Sequence, residues 1–257
     1  MDRPLKWLLS RCASVVVANS AATANQLPQF ARVHVIHNGI DLKTLQPTLS
    51  VAESRRRLRV PPGAKVVGML GRLRPWKGQE RFLRIASKVL RKSADTYFVI
   101  AGGDPFEIND GYTARLRFLV EELGIANRLT FTGQIHKVAD VLIAMDLFVH
   151  PGEPEPFGLV NLEAMAMAKP IVAFSQGALP EIVEHDVTGV LVPPCDEEAC
   201  ATAIIELLQS PARMKDFGTA GRARVEQVFQ VSRTVHAVEK LLQQQVGGRV
   251  NQRNHKE

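Results

Sequence analysis

Short β-branched runs alternating with helical patterns predict an α/β protein, a doubly wound parallel sheet of Rossmann-like type closed by C-terminal helices. Three observations carry this. From Lys65 onward the strand-like runs are nearly continuous in apolar residues, as in parallel sheets covered on both faces. Helical patterns separate consecutive runs, as right-handed βαβ crossovers require. The last three helical stretches follow one another without a strand between them.

The elements follow in chain order. The opening segment imitates a signal peptide, with early basic and later small residues, but Arg11 breaks the apolar run. Val15 to Ala18 reads better as a strand, followed by Asn19-Ser20, a helical stretch, strand-like Val33 to His37 and the turn Asn38-Gly39. That portion is too short to be a domain of its own. Pro61-Pro62-Gly63 marks the loop into the next strand. The sheet is expected from Val66 to Leu70, Tyr97 to Ala101, Leu129 to Thr132, Leu147 to His150, Ile171 to Phe174 and Gly189 to Val192. Helices are expected at Gln79 to Arg91, Thr113 to Leu123 and Val138 to Ala144, then at Glu197 to Leu208, Met214 to Phe229 and Ser232 to Gln245. The polar, glycine-initiated tail from Gly247 is expected to be disordered.

At 257 residues, 46% hydrophobic and 23% charged, the chain can bury a full core and has a soluble globular composition. Cys12, Cys195 and Cys200 are odd in number and lack metal-ligand spacing, which points to a reducing compartment without a disulfide framework. Cys195 and Cys200 stand near an expected helix start, where a reactive thiolate is conceivable and a buried or incidental cysteine is the commoner case. No apolar run approaches the length of a membrane span, so a cytoplasmic protein is expected. The formal charge of +6 favours anionic partners, phosphorylated ligands or an acidic membrane surface. Nucleic acid fits poorly, because the basic residues are scattered and aromatics are few. Arg81, Arg84, Lys88, Arg91 and Lys92 gather on one expected helix, as a solvated face or as a peripheral membrane-docking surface.

The stretch Glu155-Pro-Phe-Gly-Leu-Val-Asn-Leu-Glu163 sets two carboxylates either side of an expected helix start. An apolar strand ends at Pro151 and strong helix formers run from Ala164, so the turn from strand to helix falls near Phe157 and Gly158. The first N–H groups of such a helix are unpaired and can hold a phosphate, and Gly158 lets a ligand come close. Glu163 lies ~7–9 Å along the axis at about 1.5 Å per residue, too far to share a ligand atom with Glu155. Two acids so spaced suit two sets of hydroxyls on one extended ligand. They equally suit a helix-dipole partner and a solvated helix residue, so the segment alone leaves both readings open.

Gly71-Arg72-Leu-Arg-Pro-Trp-Lys77-Gly78 follows a strand and opens a helix, on the same sheet edge as Glu155. Arg72 as a planar fork and Lys77 as a mobile point charge can reach one diphosphate, while Gly71 and Gly78 permit tight turns. Gly102 and Gly103 end the next strand and leave room for a planar base or ribose. Gln134, Ile135 and His136 end the one after and can line the same cleft. Neither Gly-x-Gly-x-x-Gly after a strand nor a Walker-type Gly-Lys-Ser/Thr occurs, which counts against a nicotinamide dehydrogenase and a P-loop kinase.

Taken in order, Gly71-Arg72…Lys77-Gly78, Ala101-Gly102-Gly103, Phe131-Thr-Gly133, His150-Pro151, Glu155-Pro-Phe-Gly158…Glu163-Ala164, Pro180-Glu181-Ile182 and Gly189-Val-Leu-Val-Pro193 resemble the retaining glycosyltransferases of the GT-B fold, family 4. The resemblance implies transfer of a sugar from a nucleoside diphosphate sugar with retention at the anomeric carbon, without cofactor or metal. It implies that Arg72 and Lys77 hold the diphosphate and stabilise the charge that grows on the leaving phosphate. Glu155 then contacts donor-sugar hydroxyls, Glu163 the ribose, and the amides around Phe157, Gly158 and Leu159 the phosphates and sugar. Gly71, Gly103, Gln134 and Ile135 complete the donor-binding set. The two glutamates are not the acid and base of a glycosidase.

The resemblance also divides the chain: 1–45 as a remnant of an N-terminal acceptor domain with its crossover, 46–230 as the nucleotide-sugar-binding domain, and 231–257 as a C-terminal helix and tail. Three departures stand out. Ser175-Gln-Gly-Ala-Leu precedes Pro180-Glu181 where relatives commonly carry a glycine pair, and Gly152 stands where many have serine. Guanine-reading relatives often place an acid near His136, and a neutral imidazole cannot accept guanine's two hydrogen bonds, which favours a uridine donor. Most of the acceptor domain has no counterpart here. The chain therefore reads as a donor-binding half, either truncated or completed by a partner chain, or as a catalytically silent nucleotide-sugar receptor or assembly subunit. A nucleotide-sugar epimerase of similar architecture fits the glutamate pattern less well.

Overall fold

The computed structural model describes residues 7, 11–27, 32–104 and 111–253, with side chains as far as residue 246. Residues 1–6 and 8–10 of the signal-like opening, and the last four of the tail, lie outside the described residues.

β1 (Val16–Ala18) and β2 (Val33–Val35) form a two-stranded parallel sheet joined through the short helix α1 (Ala21–Ala24). The main sheet holds β3 (Lys65–Leu70), β4 (Thr96–Ala101), β5 (Leu129–Phe131), β6 (Leu147–His150), β7 (Ile171–Phe174) and β8 (Gly189–Val192), all parallel, in the order β5-β4-β3-β6-β7-β8. Every residue of β4, β6 and β7 is buried, which is why these strands read as unbroken apolar runs. Alternate residues feed opposite faces: Val67 and Met69 join a core with Phe82, Ile85 and Ile204, while Val66 and Leu70 join a second with Met145, Phe148 and Leu162.

The helices are α2 (Val51–Arg57), α3 (Gln79–Leu90), α4 (Tyr112–Glu122), α5 (Val138–Leu142), α6 (Leu159–Ala166), α7 (Leu179–Ile182), α8 (Glu197–Leu208), α9 (Pro211–Val228) and α10 (Val231–Arg253). Two were not anticipated. α2 begins in a capping box in which Ser50 and Glu53 satisfy each other's backbone N–H, and α7 carries Pro180 in its first turn. α10 corrects a third expectation, because the tail from Gly247 continues as helix to Arg253. Glycine there costs helix propensity but, unlike proline, removes no hydrogen bond, so it does not stop a helix already running. Cys200 is buried in the core, and burial pushes its thiol away from ionisation, so it is not a reactive thiolate.

The basic face of α3 is partly spoken for within the fold. Arg84 pairs with Glu197 at 2.8 Å and Lys88 pairs with Glu198, both at the start of α8.

The N-terminal segment is fastened to the main domain. Ile40 N–H donates to the Phe229 carbonyl at 2.9 Å and Val231 N–H to the Ile40 carbonyl at 3.1 Å, so the two crossings of the chain run side by side. A Cβ on Gly39 would meet the Gln230 carbonyl carbon at 2.6 Å, which keeps that position glycine. Glu181 accepts from the Ala21 and Ala22 amides at 2.8 and 2.9 Å and pairs with His37 Nε2 at 2.9 Å. Burial opposes ionisation of Glu181, but these partners outweigh it and lower its pKa. Its stabilising contribution is therefore present above the ordinary carboxylate pKa and lost as pH falls below it. Glu181→Ala is expected to cost ~1 kcal/mol, the usual value of a helix N-cap. Amide hydrogen exchange at Ala21 and Ala22 checks this, since it should accelerate while exchange in β4 changes only with global stability.

Candidate functional site

β3 and β6 are neighbours in the sheet, but the chain proceeds outward from them in opposite directions. The crevice beyond their carboxyl ends is the topological switch point of the fold, where open α/β sheets hold ligands. A cleft of about 310 Å³ opens there.

Its walls come from three strand ends and two helices, α5 through Val138 and α6. Gly71 and Arg72 follow β3, Gly102 and Gly103 follow β4, Gln134 and Ile135 follow β5, and Glu163 faces in from α6. The strand ends approach closely because the residues are glycine. Gly71 N–H donates to Ala101 O and Leu73 N–H to Gly103 O, both at 2.9 Å, and Gly102 sits at φ 122° where any Cβ would collide with Gly71.

The loop after β3 closes in a 3-10 turn, Pro75–Lys77, and Gly78 at φ 81° starts α3. This geometry turns Lys77 back into the cleft, with Nζ 4.4 Å from the Trp76 ring centroid, while the Arg72 guanidinium carbon lies 6.0 Å from the same ring. Arg74, on the same loop, is held by Asp104 at 2.7 Å.

α6 starts at Gly158, which takes φ 88°, and its first turn brings Val160 to the cleft wall. Glu155, 8% exposed, forms a buried ion pair with Lys77. Its loop is pinned on all sides. Glu153 N–H donates to Trp76 O at 2.8 Å, Gln176 Nε2 to Gly152 O at 2.7 Å, and Ser20 Oγ to Pro156 O at 2.6 Å. Gly177, within the segment that departs from the glycine pair, takes φ 56° and lies so close to Glu155 that a Cβ would stand 2.7 Å from its carbonyl. Among the described residues no opposite charge pairs with Glu163, and burial raises its pKa to about 7.

Seven of the residues singled out in the sequence, Gly71, Arg72, Lys77, Gly103, Gln134, Ile135 and Glu163, line one cleft. Glu155 joins them through Lys77. Phe157 does not present its ring: it is 2% exposed and packs on His37 and Phe229 with centroids 5.7 and 6.1 Å away. Phe157, Gly158 and Leu159 stand at the start of α6 but are not among the residues that line the cleft. Val138 and Val160, which supply apolar wall, and Asn161, which lies behind Glu155, were not singled out, and His150 beside it was named only within the motif series, without a role. The Gly158-x-x-Asn161 spacing at a helix start was the available signal for Asn161. Among the described residues, no group of three His, Cys, Asp or Glu is placed to hold a metal ion, and no helix is long and apolar enough to cross a membrane.

Residues 50–224 match the family described as Glycosyl transferases group 1. The lipopolysaccharide core biosynthesis mannosyltransferase LpsB of Rhizobium meliloti is 32% identical over 235 residues, 91% of this chain and 66% of that protein. A D-inositol 3-phosphate glycosyltransferase of Mycolicibacterium gilvum is 35% identical over 238 residues, 90% of this chain and 51% of that protein. The chain thus spans about half to two thirds of the length of these relatives. In structure it is similar to Anabaena HepE, solved in complex with UDP-glucose, at a TM-score of 0.86 and 29% identity, over 94% of this chain and 67% of that one. It is also similar to a sucrose-phosphate synthase from Thermosynechococcus elongatus, at a TM-score of 0.83 and 30% identity, over 95% of this chain and 61% of that one.

Proposed function

Since the chain belongs to the group 1 glycosyltransferases, we propose that it binds a nucleoside diphosphate sugar, preferably a UDP-sugar, and transfers the sugar with retention of configuration and without a metal, in the manner of family 4. The observation that carries this is the switch-point cleft with Arg72 and Lys77 on one wall and Glu163 on another. Arg72 and Lys77 engage the diphosphate, where cations act most strongly as charge accumulates on the leaving group. Glu163 takes the ribose hydroxyls, Glu155 the donor-sugar hydroxyls, and the amides of Phe157, Gly158 and Leu159 the phosphates and sugar. Gln134 and Ile135 face the base, and Gly71 and Gly103 leave room for it. Retention without a protein nucleophile follows if the leaving phosphate takes the acceptor's proton on the same face. The UDP-glucose complex of HepE supports the choice of donor.

A second reading stands beside the first, in which residues matching the family act as the donor half and a partner chain supplies the acceptor half. A catalytically silent nucleotide-sugar receptor is the remaining alternative. We place the protein in the cytoplasm, where such donors are made.

Isothermal titration with UDP-, GDP- and ADP-sugars tests the donor claim. Binding of a UDP-sugar ahead of the others is expected, and no measurable binding of any would overturn it. Transfer of radiolabelled sugar to lipid and sugar acceptors, with and without candidate partner chains, separates transferase from receptor. Arg72→Ala is expected to weaken UDP binding by ~1.5 kcal/mol, the lower end for hydrogen bonds to charged groups, because Arg72 is exposed. An unchanged titration curve removes Arg72 from the site.

A further inference from the structure

His150 is the last residue of β6, directly before the loop that carries Glu155. Its side chain is 7% exposed, and its Nε2 is buried without a hydrogen-bond partner. A buried donor or acceptor left unmatched is costly, so its surroundings bear on what it does. Nδ1 lies 3.2 Å from Asn161 Nδ2, and the same Nδ2 donates to the Gly158 carbonyl at 2.9 Å. A carbonyl only accepts, which fixes that end of the amide as nitrogen. The second amide proton then faces Nδ1, Nδ1 accepts it, and the imidazole proton resides on Nε2. Glu155 Oε1 stands 3.5 Å from Nε2. Burial holds the imidazole neutral against the pull of Glu155, and Lys77 acts in the same direction as burial.

Glu155 Oε1 is the atom held by Lys77, and the His150 contact is roughly 0.6 Å longer than an ordinary N–H···O bond. A diphosphate in the cleft competes for Lys77. As Lys77 turns to the phosphate, Oε1 loses its cation, and His150 Nε2–H is a donor 3.5 Å away. Two glycines leave this relay room. A Cβ at position 152 would stand 3.2 Å from Nε2, and one at position 158 would stand 2.7 Å from Asn161 Nδ2.

We infer that His150 is a positioning residue for donor-sugar recognition, oriented by Asn161, which takes over Glu155 from Lys77 when the diphosphate binds and fixes the carboxylate toward the sugar hydroxyls. This rests on the donor-site reading of Glu155 above.

The test compares His150→Gln, His150→Asn and His150→Phe in the full chain. A Gln side-chain amide nitrogen reaches the place of imidazole Nε2, whereas that of Asn stops at the place of Nδ1. The readout is the ratio of Kd for the tightest-bound UDP-sugar to Kd for UDP, measured by titration beside Glu155→Gln. The Asn and Phe variants are expected to raise that ratio about 10-fold, as Glu155→Gln does, with Kd for UDP changed less than about 2-fold. The Gln variant should keep it within about 3-fold of the parent. Equal ratios in all variants, or equal losses for Gln and Asn, overturn the inference. Should the Phe variant fail to fold, the Gln and Asn pair decides. Failure of the parent chain to bind any nucleotide overturns instead the donor-site reading.

Discussion

Replacing Lys77 by alanine is expected to destabilise the chain by ~3–5 kcal/mol at neutral pH, the cost of removing one partner from a buried ion pair. Glu155 is 8% exposed and Lys77 side-chain atoms 12%, so water cannot replace the lost ammonium as it does at a surface pair. His150 Nε2, 3.5 Å away, is held neutral by burial and does not replace the cation. The same change should weaken UDP binding by more than Arg72→Ala does, because the stranded carboxylate then stands beside the diphosphate and repels it. The double variant Lys77→Met, Glu155→Gln tells the two effects apart. It removes both charges at similar volume, so most of the stability should return while UDP affinity stays low. Urea denaturation and titration calorimetry on the three proteins check this. A Lys77→Ala variant within ~1 kcal/mol of the parent would show that the pair behaves like an exposed one.

Much of this arrangement was legible in the sequence, and what was missed shares a cause. β6, β7 and β8 fall at the expected residues because both faces of the sheet are covered, and their apolar runs have few alternatives. The start of α6 was readable from Gly158, since a left-handed residue between a strand and a run of strong helix formers is a helix-start signal. Strand order was not written in any one segment, but the parallel alternation allows few topologies, and the switch point follows from it. The pairings were not legible. Lys77 and Glu155 are 78 positions apart, and Ser20 and Pro156 are 136 apart. No periodicity records which distant side chains meet. Phe157 shows the same limit from the other side: its place in the motif marked the loop correctly, but only the packing of His37 and Phe229 shows that its ring turns inward. α2 was overlooked although Ser50 and Glu53 spell its capping box. Arg55 reaches across to Asp146 at 2.8 Å and makes the helix part of the core's edge.

Glu163 should show opposite effects on stability and on binding. Burial raises its pKa to about 7 from 4.5, so between those values the folded chain keeps a proton that the unfolded chain has released. Stability is therefore lost as pH rises from about 4.5 to about 7, and the ionised carboxylate remains a cost above that. Glu163→Gln is expected to stabilise the ligand-free chain by ~2 kcal/mol at pH 8 and to change little at pH 4, since one pKa unit corresponds to about 1.4 kcal/mol and the side chain is only partly buried. Thermal melts at the two pH values check the sign. The same variant should bind a UDP-sugar about 10- to 100-fold more weakly at pH 8, because the ribose hydroxyls then donate to an amide oxygen instead of a carboxylate. A UDP-sugar suits this measurement because its two phosphates are both esterified and do not titrate near neutrality. Parent affinity should fall as pH drops below about 7, where Glu163 takes up its proton, and the Gln variant should lack that component. Stabilisation without loss of affinity would make Glu163 a misplaced core acid. Loss of affinity at every pH, with the parent's pH slope retained, would assign that slope to another group. Both effects together are what a carboxylate held desolvated for a ligand's hydroxyls requires, because the site stores as strain in the free protein what the bound ribose relieves.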